Sequence, residues 1–429
     1  MRILVVGGYG LIGGYVVARL AALGHEVTGV GRRTGEAARR LPQARWLEID
    51  LAKQTSARWQ TTLQGFDAVV NCAGALQESP RDRLRAAHVD GVRALAEGAR
   101  LAGVPRLVHV SAAGAEKSPG AFGAAKRDAE AAVRQAGPDW IILRPGLVLA
   151  PAAFGGSALL RGLAGFPLVI PTVHAKSKVQ VVSAGDVSEA VAAAVSAGAP
   201  SQLIVDLVAR QSLSIGEILV TLRAWLGLRP APLVQLPAAA GRLVATVAGG
   251  LAWFGWRSPM RSASLEQLSH GVRGEAGAAE RSLGVAPRSL AQILAAEPSG
   301  VQERWFARAY FLKPLILAVL SLFWIASGVI GLIAAQTAAT TLTRAGFGAA
   351  AGLTIVKAGS VLDIALGIGA AYRSTARAAL LGMLAASAAY MIGATLWRPD
   401  LWSDPMGPLL KILPMAALVC VALAIMDER

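Results

Sequence analysis

At 429 residues the chain is too long for one ordinary domain. Hydrophobic residues make up 54% and charged ones only 16%, less than a soluble domain carries, so part of the chain is built for lipid. The net charge is +15, of which +12 falls on residues 1–311; this suits a phosphate-bearing ligand or an anionic membrane surface, whereas the scattered basic residues and the lack of a DNA-binding motif exclude nucleic acid.

In chain order, Ile3–Val6 reads as a short strand, followed by Gly7-Gly8-Tyr9-Gly10-Leu11-Ile12-Gly13 and a helical pattern through Leu20. The apolar start mimics a signal peptide, but the glycines interrupt it and cleavage would remove the motif. In this G-x-x-G-x-x-G spacing, Gly7 permits the tight turn and Gly10 lets backbone approach a pyrophosphate. Gly13 lets helix pack on strand, and the helix start around Tyr9, Leu11 and Ile12 attracts phosphate charge. The second strand, His25–Val30, runs into Gly31-Arg32-Arg33. An NAD site usually carries an acid here for the ribose hydroxyl, while arginines pair with a 2′-phosphate, so NADP (NADPH) is expected over NAD. After a third strand, Asp50-Leu51 places a carboxylate where it can accept from the adenine amino group. Phe66–Cys72 is the fourth strand, leading into Ala73-Gly74; residues 84–103 form a helix; Leu107–Val110 is the fifth strand, ending at Ser111. Strands alternating with helices predict an α/β, doubly wound parallel sheet of Rossmann type. Cys72 and Cys420 both sit in apolar runs, and neither a disulfide framework nor a metal site is expected.

These residues, with Leu143-Arg144-Pro145-Gly146 and Val179–Val187 including Asp186, resemble the extended or atypical branch of the short-chain dehydrogenase/reductases. That branch is epimerase-like and includes a Rossmann-type accessory subunit of respiratory complex I. The resemblance covers about residues 1–300 and implies a nicotinamide cofactor lined by the glycine loop, Arg32, Arg33, Asp50, Leu51, Ala73, Gly74, Lys126 and Pro145. It also implies a substrate lobe over 151–300. Active members use a serine, a tyrosine as general acid or base, and a lysine that holds the nicotinamide ribose and lowers the tyrosine pKa. Ser111 and Lys126 match as catalytic residues, but in Ala121-Phe122-Gly123-Ala124-Ala125-Lys126 the tyrosine position holds Phe122, which has no proton to give. His88 stands where the family often has asparagine. Tyr9, in the phosphate loop, and His109, inside a strand, do not restore the missing acid.

Leu243–Trp256 is 14 uncharged residues, too few to cross a bilayer alone; its Trp253, Phe254 and Trp256 either lie in the membrane interface or fill the core of the lobe, and the core is the expectation taken. Residues 301–314 form a linker. Beyond it, in 315–429, apolar segments lie at roughly 315–335, 347–371, 378–397 and 408–426, predicting a four-helix transmembrane bundle. This tail resembles the DoxX-like family of small membrane proteins, some linked to quinone or thiol-redox systems. Arg304, Arg308, Lys313, Arg373 and Arg377 mark the cytoplasmic side and put both termini there, as for a multi-pass protein of the inner membrane. Lys357 and Asp363 fall within the second span, about 120° apart around the helix, with Ser360 between them in a polar stripe. Gly348-x-x-x-Gly352 is the expected site of close helix packing.

Two functional readings follow. One is an NADPH-dependent oxidoreductase acting on a lipophilic or membrane-delivered substrate such as a quinone. The other is a non-catalytic NADP(H)-binding sensor or assembly module of a membrane redox complex, alone or as a homo-oligomer.

Overall fold

Ile3, Leu4, Val5 and Val6 are all buried, which a strand of period two permits only when both its faces are covered. The computed structural model, which describes residues 1–74, 85–118, 120–256 and 271–426, shows how. Strand β1 (Arg2–Val6) is followed by α1 (Leu11–Ala22), β2 (Glu26–Gly31), α2 (Gly35–Arg40), β3 (Arg45–Glu48), α3 (Ser56–Thr62) and β4 (Ala68–Asn71). Next come α4 (Gly91–Leu101), β5 (Arg106–Val110), α5 (Ala121–Ala136) and β6 (Asp139–Pro145). With β7 (Leu147–Leu149), α6 (Gly155–Ala164), β8 (Ile170–Thr172), β9 (Lys178–Ser183), α7 (Ala184–Val195) and β10 (Leu203–Leu207), they complete the main domain.

The large sheet has seven parallel strands in the order β10-β6-β5-β4-β1-β2-β3. Ile3 and Val5 join Val16, Val17 and Leu20 of α1 and Val187 and Val191 of α7 in one core. Leu4 and Val6 join Trp59 of α3, Leu95 of α4 and Val133 of α5 in the other. Each such side chain, fully buried, contributes about 1.5–3 kcal/mol. The chain order reverses between β1 and β4, so their carboxyl ends open a crevice at the switch point where ligands bind in such sheets.

A smaller lobe is built from β11 (Ser212–Ser214) beside β9 and β7, and from α8 (Ile215–Trp225) and β12 (Leu233–Gln235), which pairs with β8. Its core gathers Leu160, Val179, Ile218, Leu222 and Ile293. Helix α9 (Ala238–Leu251) follows.

By contacts, the chain divides into Met1–Gly249 with Ser258–Ala307 and Gly250–Arg257 with Arg308–Arg429. Among its described residues the second unit holds three helices long and apolar enough to cross a membrane: Leu312–Ile333, Ala349–Ala371 and Ala376–Trp397. The fourth expected span is a helix over only Ile412–Ala424. Gly407, at φ +58°, and the turns that follow it use up the start of that apolar segment, leaving 13 helical residues, about 20 Å. The expectation that Trp253, Phe254 and Trp256 fill the core of the lobe is corrected. Trp256 Nε1 donates to Ala371 O at 2.6 Å, Arg373 N donates to Phe254 O at 2.9 Å, and Phe254 stacks on Tyr372. Residues 250–256 thus belong with the membrane-length helices.

Close packing in this unit occurs away from Gly348, whose absent side chain faces open space. A Cβ on Gly328 would stand 2.3 Å from Ser360 O, and one on Gly367 would stand 2.8 Å from Ser321 O. Ser321 Oγ donates to Gly367 O at 2.7 Å, so small residues and a hydroxyl join Leu312–Ile333 to Ala349–Ala371. Asp363 is buried between the helices, accepting from Tyr390 OH at 2.8 Å and Ser327 Oγ at 3.1 Å, while Lys357 is exposed.

Candidate functional site

The turn after β1 is as tight as its glycines allow. Gly7 has φ +74°, and a Cβ there would stand 2.7 Å from Ala73 N. A Cβ on Gly13 would lie 2.1 Å from Gly7 O, so only glycine lets α1 start against the loop. Gly10 donates to Gly7 O at 2.9 Å and sits at the N-cap of α1 without a side-chain cap. The amides of the first turn, at Leu11 and Ile12, therefore face the mouth of the crevice, where an anion is favoured.

Beside the loop, Tyr9 lies over Gly31, where a Cβ would come within 1.8 Å of the ring. Arg32 and Arg33 follow at the end of β2, both exposed. Asp50 caps the short helix that starts at Leu51, its Oδ1 accepting from Ala52 N at 3.2 Å. Asn71, last residue of β4, accepts from Ala73 N at 3.0 Å and meets His109 Nδ1 at 3.1 Å through its amide nitrogen. His109 is fully buried, and burial, with the nearby Lys126 and His88, holds its imidazole well below the usual range. It is a neutral core residue, as its place inside a strand predicts.

The other wall comes from β5, α5 and β6. Lys126 is buried on α5 and makes one hydrogen bond among the described residues, to Val110 O at 3.1 Å. Burial pushes its ammonium down to about 8, against the pull of Glu130 and Cys72. A buried cation with donors to spare is costly unless a ligand completes its shell. Ser111 Oγ donates to Glu130 Oε1 at 2.5 Å. Glu130 is itself buried and grips Arg144 through both oxygens, at 2.9 and 2.6 Å, while Arg144 also reaches Glu116 at 2.8 Å. A carboxylate only accepts, so the hydrogen of Ser111 is committed to Glu130, away from an incoming substrate oxygen. Phe122 lies one helical turn before Lys126, with the ammonium 5.9 Å from its ring centroid. His88, on a π-helical turn Ala86–Asp90 ahead of α4, meets Phe122 edge-on at 6.0 Å. Pro145 ends β6, its carbonyl accepting from Ala113 N at 2.9 Å.

The sheet thus brings the glycine loop, Ala73, Gly74, Ser111 and Lys126 to one crevice, with Arg32 and Arg33 at the end of β2. A Cβ on Gly74 would stand 3.1 Å from His88 Cε1 and 3.7 Å from Lys126 Nζ. The inward-facing glycines and the under-coordinated ammonium fit a dinucleotide's phosphates and ribose. Glu130 and its pairing with Arg144 escape the sequence reading, although Glu130 stands four residues after Lys126, one helical turn away. The π-helical turn at His88 has no sequence signature.

Fold and loop together define a dinucleotide-binding Rossmann domain. Residues 7–198 match the NAD(P)H-binding family and residues 321–420 match the DoxX-like family. The chain therefore joins an NAD(P)-binding domain, with the fold of short-chain dehydrogenase/reductase epimerases and reductases, to a C-terminal DoxX-like domain. A curated relative, the ceramide reductase of Caulobacter vibrioides, is 28% identical over 187 residues, 43% of this chain and 57% of that protein. The chain thus aligns with little more than half the length of that relative. Among solved structures, the Bordetella bronchiseptica enzyme WbmG in complex with NAD has a TM-score of 0.52 at 18% identity, covering 69% of this chain and 93% of that one. The NADPH-dependent quinone oxidoreductase QOR2 of Escherichia coli has a TM-score of 0.53 at 17% identity, covering 68% and 98%. At these identities the structures share the fold alone.

Proposed function

We propose that the chain is a membrane-anchored, NADPH-dependent oxidoreductase that acts on a lipophilic acceptor delivered by the bilayer, such as a quinone or a lipid carbonyl. The observation that carries this reading is the buried Lys126 ammonium, with a single hydrogen bond among the described residues, in a crevice on a chain whose described residues include three membrane-length helices. In this reading Gly7, Tyr9, Gly10, Leu11, Ile12 and Gly13 hold the pyrophosphate. Asp50 and Leu51 flank the adenine, and Ala73, Gly74 and Pro145 border the nicotinamide. Arg32 and Arg33 take the 2′-phosphate. The bound reduced dinucleotide supplies a hydride. Phe122 has no proton and the Ser111 hydrogen is on Glu130, so Lys126 is the acid at hand, held near 8 by burial and thus close to the pH of work. The relative named for ceramide reduction is in keeping with a lipid acceptor. The basic flanks of the spans support a domain on the cytoplasmic side of the inner membrane.

Phe122 favours a second reading, a non-catalytic NADP(H)-binding module of a membrane redox complex. One experiment separates the two: oxidation of NADPH by the purified full chain with panels of quinones and long-chain ketones. Turnover that depends on Lys126 supports the enzyme. Cofactor binding without turnover on either panel overturns it in favour of the second reading.

A further inference from the structure

Helix α9 is inside out for a helix in water. Its inward positions are the small Gly241, Ala245 and Ala248, while Leu243, Val244, Val247 and Leu251 are exposed, Leu243 at 67% and Val247 at 56%. Leu243, Val247 and Leu251 recur every four residues, so they form one stripe along the helix. Just beyond, Trp253 is exposed at 78%. A contiguous apolar surface of this kind marks a site that is covered in the working protein.

What covers it is indicated by where the stripe leads. Residues after Leu251 tie into the end of a membrane-length helix: Trp256 bonds Ala371 O, Phe254 meets Tyr372, and Arg373 stands 5.6 Å over the Trp256 ring. Aromatic rings with an arginine at the end of an apolar helix are the signature of the membrane–water boundary. Fourteen residues of helix are too short to span the hydrocarbon but suit a helix lying in its surface.

We propose that α9 is an in-plane interfacial helix whose Leu243, Val247 and Leu251 are immersed in the lipid leaflet. The inference rests on the reading that the long helices span a bilayer. It gives the substrate lobe, whose strand β12 directly precedes α9, its own contact with lipid, independent of the spans.

The test uses the full chain with Cys420→Ala and Val247→Cys, carrying a bimane label and reconstituted into phosphatidylcholine/phosphatidylglycerol vesicles. Cys72 is partly exposed, although desolvation pushes its thiol up to about 12, so the chain with Cys420→Ala alone is labelled in parallel and its signal subtracted. Adding spin-labelled phosphatidylcholine with a shallow doxyl group should lower bimane emission at least twofold. Aqueous iodide should quench it less than a label at the exposed Arg58→Cys. Strong iodide quenching without lipid quenching would overturn the proposal alone. Shielding from both quenchers would also overturn it, indicating a protein partner such as a second copy. A chain that fails to insert into vesicles overturns the spanning reading and this proposal together. Val247 is exposed, so its replacement leaves the core intact.

Discussion

At the scale of single residues, Lys126 carries the sharpest expectations. Removing its ammonium should weaken NADPH binding by about 1.5–3 kcal/mol, read as a change in Kd by fluorescence titration of Lys126→Met. The same substitution should stabilise the empty protein. Lys126 titrates at about 8 in the fold, against about 10.5 unfolded, so between these pH values the unfolded chain binds more protons and stability rises with pH. Below pH 8 the burial penalty is fully present, on the order of 3 kcal/mol. Thermal unfolding of cofactor-free protein from pH 7 to 10.5 should show an upward slope that Lys126→Met removes. A flat profile in the unmodified chain would contradict the buried cation. Arg32→Ala with Arg33→Ala should abolish the preference for NADP(H) over NAD(H); equal affinities in the unmodified protein would remove that assignment. Phe122→Tyr restores a phenol beside Lys126 and should raise ketone reduction by NADPH. No gain would mean that the Ser111–Glu130 bond, more than the missing hydroxyl, limits such chemistry.

At the scale of elements, the strand–loop–helix at the start was legible because glycine spacing reports local backbone demands. Gly7 needs φ +74° and Gly13 must approach Gly7 O, and both constraints act within seven residues. The helix pair of the membrane unit was less legible. Of Gly348-x-x-x-Gly352, Gly352 does pack, a Cβ there meeting Ala339 O at 3.3 Å, but Gly348 faces open space, and the tightest contacts are made by Gly328, Gly331 and Gly367, with Ser321 and Ser360. Which small residues meet depends on how two helices are rotated, which a one-helix pattern does not contain. Gly367→Leu should therefore disrupt the bundle, because its side chain would have to enter space held by Ile325 and Ser321 O, whereas Gly348→Leu should be tolerated. The comparison is made by melting temperature in detergent, and equal loss for both would refute it.

At the scale of the whole molecule, reporter fusions after Arg344, Arg373 and Asp404 should read outside, inside and outside. A C-terminal fusion should read inside if Ile412–Ala424 crosses by thinning the bilayer locally, and outside if it does not. The parallel sheet and the long apolar helices were determined by the sequence itself, since periodicity, glycine spacing and hydropathy are properties of neighbours along the chain. Tertiary structure alone decided that Ser111 gives its hydrogen to Glu130, that His88 sits on a π-helical turn facing Phe122, and that residues 250–256 leave the lobe for the membrane unit. Each of these joins groups distant in sequence or shifts a helical register. Local pattern sets which face of an element is apolar, but only packing sets what that face meets.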